Sequence, residues 1–199
     1  MRIFKTGLRS TGLPVLPIFL TGFAAGILVM NIGKTILLDN TGLFDEYSLY
    51  GMKYMTVDSN ALFSYVFRER ILKLLALAVL STTYLGLAVC VCTVAWYGMS
   101  AGAFLAALTL RYGVKGIFLA VISLFPQYLF YIPAFFALLT WCVSLYRGIY
   151  SRTINFGEDK TVLPKKLATL SVILLAATAG CLLEAYVNPY LLLNYLKIF

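Results

Sequence analysis

The stretch Val121–Phe136 reads VISLFPQYLFYIPAFF. It is almost wholly apolar, yet Pro126-Gln127 sits at its centre and Pro133 follows. It lies inside a longer apolar run, Gly116 to Tyr146, about 31 residues or roughly 46 Å as one straight helix. A hydrocarbon core is only about 30 Å thick. The run must therefore tilt, protrude or break. Pro126 removes the donor for the Ile122 carbonyl, and Pro133 removes the donor for that of Leu129. In lipid those carbonyls need partners, so the broken region is expected to face protein or a wet cavity. Gln127, able to donate and accept, is expected to bond across a helix interface.

The rest of the chain agrees that lipid is the solvent. Of 199 residues, 61% are hydrophobic and 12% are charged, against about 25% charged in soluble domains. A soluble protein with one very large core is the competing reading, and the length of the apolar runs weighs against it. The net charge of +8 is read as basic cytoplasmic loops and anionic headgroups rather than nucleic acid, since no basic stripe interleaved with exposed aromatics is present. There is no histidine among the 199 residues. Cys90, Cys92, Cys142 and Cys181 all lie in apolar runs and read as small buried hydrophobes, with Cys90 and Cys92 on different helix faces. No metal, cofactor or catalytic set is expected.

Five hydrophobic helical segments are expected in an all-α, polytopic membrane bundle forming one domain over residues 1–199. The first is Leu13 to Gly33, preceded by Arg2, Lys5 and Arg9 and opened by Pro14 and Pro17. It is too long for a signal-peptide core and lacks a clear cleavage site. The segment 34–70 carries four basic against five acidic residues, which suits the outer side. In it Tyr47, Tyr50 and Tyr54 are placed at headgroup level. An interfacial helix that leads into the second span, capped by Asp58, Ser59 or Asn60, is placed next, with Leu62, Phe63, Val66, Phe67 and Ile71 on one stripe. A second span is placed at Ile71–Tyr97 and a short, re-entrant third at Gly98–Leu110. A turn at Gly113 follows, between Arg111 and Lys115, and then the interrupted fourth run, which becomes two if Pro126-Gln127 splits it. The loop 147–166 holds five basic and two acidic residues and is assigned to the cytoplasm. The last span starts at Leu167. This topology puts the N-terminus inside and the C-terminus outside.

Two further patterns stand out. Gly22-x-x-x-Gly26 and Gly98-x-x-x-Gly102 allow close helix approach and offer faces for self-association. Near the end, Leu182–Pro189 reads LLEAYVNP. Glu184 falls 17 residues after Leu167, inside the last span, where a carboxylate needs a partner or water. It reads as a cation or proton site, as an anchor for a partner's basic group, or as a glutamate reaching the headgroups. Asn188-Pro189 is expected to end the helix.

The run LAVISLFPQYLFYIPAFF, followed about fifty residues later by LLEAYVNPYLL, resembles the stage II sporulation protein M family, as do Gly98–Phe104 and Asn60–Phe67. The resemblance covers most of the chain and is weakest over Lys34–Asp58 and Gly148–Lys165. Pro126, Gln127, Pro133, Glu184 and Pro189 match its motifs. The resemblance implies an integral membrane protein of an endospore-forming bacterium, acting in forespore engulfment. It implies a non-enzymatic scaffold for a peptidoglycan-degrading complex with stage II sporulation proteins D and P. The other reading of the residues is a permease-like or channel-like subunit served by a separate ATPase, with the Pro126 break and Glu184 along its path.

Overall fold

The computed structural model describes residues 14–34, 58–150 and 162–198, all helices and short turns. The tyrosines Tyr47, Tyr50 and Tyr54 and most of the loop 147–166 lie outside the described residues. Helix α1 is Val15–Ile32, with Pro17 in its first turn, where a missing N–H costs least. Helix α2 is Ser59–Leu80. The Asp58 carboxylate accepts from the N–H groups of Asn60, at 3.0 Å, and Ala61, at 3.3 Å, as the cap reading expects. Within its expected stripe Val66 is buried and Ile71 packs against the core, while Phe67 faces outward.

Here the structure departs from the expected spans. Helix α2 stops at Leu80, inside the segment assigned to the second crossing, and α3 runs from Gly86 to Tyr112 without interruption. The short Gly98–Leu110 segment is therefore not separate; it is the second half of α3. The break is made by three successive hydroxyls. Ser81, Thr82 and Thr83 each donate 2.7 Å bonds to carbonyls three residues back, at Ala78, Val79 and Leu80. Side-chain bonds of this kind compete with helix continuation. Gly86 then lets the chain turn tightly, since a Cβ there would collide with the Ser81 carbonyl.

The short, backtracking element is α4, Val114–Leu124. Gly113 reverses the chain at φ 57°, a conformation that favours glycine. Helix α4 then folds back on α3, with Leu119 and Ala120 against Phe104, Leu105 and Leu108. At Phe125 the backbone is extended (φ −90°, ψ 140°), and the Phe125–Pro126 bond is cis. Helix α5, Tyr128–Tyr150, starts immediately after. The Pro126-Gln127 break thus splits the fourth run in two. Pro133 does not interrupt it. It is the sixth residue of α5, and the helix continues around the one bond it lacks.

The chain ends in one long helical body: α6, Val162–Leu182, a π-helical turn at Leu183–Val187, and α7, Asn188–Ile198. The expected stop at Asn188-Pro189 does not occur. Asn188 is helical (φ −60°, ψ −43°), and its N–H bonds to Leu183 O, five residues back. The wider turn leaves room for the Pro189 ring, and the proline falls in the first turn of α7, where no N–H is required.

Helices α1 and α3 run parallel and in contact. Gly22 abuts Ala95 and Gly26 abuts Met99 and Ala103, while Gly98 and Gly102 abut Phe19 and Phe23. A Cβ at any of the four would strike backbone. Both small-residue faces are therefore occupied by each other inside one chain, so they are not the ground for self-association that the sequence suggests. Helix α2 runs antiparallel to them: Asn60 near its start meets Tyr186, while Leu77 and Ala78 near its end share the core with Val15 at the start of α1. Helix α5 descends antiparallel to α3, with the Tyr97 and Phe135 rings 4.9 Å apart. The core gathers Val15, Leu77, Ala78, Cys90, Val94, Leu138, Cys142 and Ala177 from all five long helices. At one end, the start of α1, the turn after α2 and the end of α5 come together, with the Tyr84 and Tyr150 rings 5.9 Å apart.

Among the described residues, four helical bodies are long and apolar enough to cross a membrane: Val15–Ile32, Gly86–Tyr112, Tyr128–Tyr150 and Pro164–Tyr195. Helix α2 is long enough, at 22 residues, but carries Arg68, Glu69, Arg70 and Lys73 at its middle. A charge at the centre of an inserted helix costs about 2.5–3.5 kcal/mol. Those four side chains need partners.

Candidate functional site

One of those partners is Glu184. The π-turn carries it toward α2, where its Oε1 lies 3.0 Å from Arg70 Nη2. Its Oε2 accepts from the Tyr131 hydroxyl of α5 at 2.6 Å. Three helical bodies, separated by more than fifty residues each way along the chain, thus meet on one carboxylate. The Arg70 guanidinium also lies over the Tyr131 ring, 5.1 Å from its centroid, a cation–π arrangement strengthened by low dielectric. Tyr131 is held from behind by Gly180, where any Cβ would meet the ring. Its oxygen lies 3.4 Å from Cys181 Sγ, within reach of a weak thiol donor. Tyr128 packs edge-on against Tyr131 at 6.0 Å. Arg70 and Glu184 are partly shielded, with side chains 32% and 19% exposed.

The same π-turn makes a second contact with α2. Tyr186 donates a 2.6 Å bond to Asn60 Oδ1, and its ring packs on Phe63 at 6.2 Å. On the other side, one turn further along, Asn188 reaches the Pro126 break. The Ser123 carbonyl would bond the Gln127 N–H in an unbroken helix. Instead it accepts the Gln127 side-chain amide at 2.6 Å and the Asn188 amide at 3.0 Å. So Gln127 caps its own broken helix, contrary to the expected cross-helix bond, and Asn188 makes the crossing. Because Ser123 O needs donors, both amides turn their nitrogens toward it. Their oxygens, Gln127 Oε1 and Asn188 Oδ1, are buried and have no hydrogen-bond partner among the described residues.

The sequence-predicted residues therefore fall into two places. Pro126, Gln127, Glu184, Asn188 and Pro189 come together around the break and the π-turn. Gly22, Gly26, Gly98 and Gly102 form the separate α1–α3 seam, and Pro133 sits in α5, two residues after Tyr131. Sequence reasoning missed Arg70 and Tyr131. The available signal for Arg70 was its place beside Ile71 and four residues after Val66, on the inward side of α2. Tyr131 had none, as one of 14 tyrosines. Glu184 meets a basic group of its own chain, Arg70, rather than the partner's group of the sequence reading. Among the described residues, no three His, Cys, Asp or Glu side chains group as a metal site. Cys90 is buried and Cys92 is exposed, on the different faces expected of them. Chemically, the site is a junction: its charges and hydroxyl are engaged in joining α2, α5 and α6.

A family model described as stage II sporulation protein M matches residues 15–189. The chain belongs to the stage II sporulation protein M family. The match runs from the first residue of α1 to Pro189, so it takes in the glycine seam, the Pro126 break and the Glu184 junction. With its long apolar helices, the chain is a sporulation-related membrane protein. Neither a curated protein nor a solved structure matches it significantly.

Proposed function

We propose that this protein is a non-enzymatic membrane scaffold of a septal peptidoglycan-degrading complex used in forespore engulfment. Its partners in this reading are stage II sporulation proteins P and D, which carry the wall-cutting activities, and the membrane lipid itself. Family membership supports the sporulation setting. The observation that carries the scaffold reading is the engagement of Glu184. Both oxygens of this carboxylate bond to side chains of the same bundle, Arg70 and Tyr131. An ion or proton path would need that carboxylate open to a mobile partner. A structural joint needs it closed.

The same reading sets an orientation in the cytoplasmic membrane of an endospore-forming bacterium. The start of α1, the end of α5 and the start of α6 share one end, where Arg147, Lys165 and Lys166 are found. By the positive-inside rule that end is cytoplasmic. The Asp58 end of α2 and α7 then face outward, toward the wall and the hydrolases.

The test is photo-crosslinking in sporulating cells from positions within residues 35–57. Capture of protein P or D is expected, together with dispersal of both from the septum when this protein is removed. Capture of cytoplasmic proteins alone, or hydrolases that focus normally at the septum without it, contradicts the scaffold.

A further inference from the structure

The glycine seam and the Glu184 junction leave one set of membrane-depth charges unexplained. Helix α2 runs between the Asn60–Tyr186 contact at one end and the core around Leu77 and Val15 at the other, and its midpoint falls between Glu69 and Arg70. Arg70 turns inward to Glu184. Arg68, Glu69 and Lys73 do not. Glu69 and Lys73 pair with each other at 2.7 Å, with side chains 45% and 63% exposed. Arg68 is exposed and makes no ion pair among the described residues. Tyr65 and Leu72 flank them on the same face, 67% and 54% exposed. Charged groups at this depth face protein or water rather than acyl chains.

We infer that this face of α2 is an interface with the same face of a second copy of the chain. The occupant follows from the charge order. Arg68 and Glu69 are adjacent and opposite in sign. A two-fold axis along the membrane normal, between two α2 helices, sets Arg68 of each copy against Glu69 of the other. A two-fold interface requires this reciprocity: if residue i meets j, then j meets i. Lys73 engages only Oε2 of Glu69, so Oε1 is positioned to take the guanidinium, which binds carboxylates in a fork. Tyr65, Arg68 and Leu72 recur at helical spacing, so the apolar pair brackets the charges and excludes lipid and water from them. The glycine faces, the usual means of close association in membranes, are already filled by α1 and α3.

The test uses full-length protein in native-lipid nanodiscs, with two differently tagged copies co-expressed. Wild-type copies co-purify. Arg68→Glu with itself, and Glu69→Arg with itself, place like charges together and lower co-purification about tenfold. Arg68→Glu with Glu69→Arg restores it, because every cross-pair is again opposite. A photo-crosslinker at Leu72 in an otherwise native chain gives a covalent dimer, and the same group at Leu28 on α1, 60% exposed, does not. The proposal is overturned if wild-type copies fail to co-purify. It is also overturned if the single variants self-associate like wild type, if the mixed pair is not restored, or if Leu72 gives no dimer.

Discussion

The α1–α3 seam and the Arg70–Glu184–Tyr131 junction join helices by opposite means. In the seam, four glycines bring two backbones into direct contact. The attraction is van der Waals contact, which lipid cannot match when two smooth surfaces fit. In the junction, helices are held apart by long side chains and tied through one carboxylate, one guanidinium and one hydroxyl. The seam tolerates no added atom. The junction tolerates atoms but not unpaired charge. The first is governed by shape, the second by electrostatics in a poorly solvating medium.

Gly26→Leu is the strongest way to break the contrast. Its side chain would enter the backbone of Met99 and Ala103, which cannot rotate away. A loss of about 3 kcal/mol is expected, read as unfolding in mixed detergent micelles; a loss no larger than that of a lipid-facing Leu28→Ala control would refute the seam. Next is Arg70→Met, which strands Glu184 beside a hydroxyl alone. Discounted for partial exposure, about 2 kcal/mol is expected. The pair Arg70→Met/Glu184→Met should cost less than the two single changes summed, because each partner's desolvation penalty vanishes with the other. Strict additivity in the same titration would mean that the two side chains do not interact.

Smaller changes sharpen the same comparison. Tyr131→Phe keeps the ring and removes the donor, and about 1 kcal/mol is expected. Gly180→Ala should act similarly, since its Cβ meets only the Tyr131 ring edge, a side chain that can shift; Gly26→Ala, against backbone, should cost more. A reversed order would contradict the assignment of the seam as the rigid element. Asn188→Leu should be the mildest, about 0.6 kcal/mol, because the Gln127 amide still caps Ser123 O. A larger loss would show that the contact between the break and the π-turn depends on Asn188 rather than on packing.

Some of this architecture was written locally and could be read directly. The apolar runs, the Asp58 cap, the Gly113 reversal and the split at Pro126-Gln127 each depend on residues within a turn or two of one another. The errors also have local chemistry. Ser81-Thr82-Thr83 fall inside the expected second span, Ile71–Tyr97, but three hydroxyls bonding back in succession end α2. Asn188-Pro189 looked like a stop, but a π-turn absorbs the proline. Both outcomes rest on the choice between competing hydrogen bonds of similar strength, which the surrounding packing decides.

By itself, the sequence determined the solvent, the helical class, the family motifs and the fact that Glu184 needs a partner. Only the tertiary structure decided who that partner is. It was also the structure that showed the two glycine motifs fitting each other, and the Ser123 carbonyl taking two side-chain amides. Hydrophobicity, caps and turns act over a few residues, so composition and spacing record them. The pairing of Arg70 with Glu184, 114 residues apart, depends on how the helical bodies pack in depth and rotation. No local pattern encodes that packing.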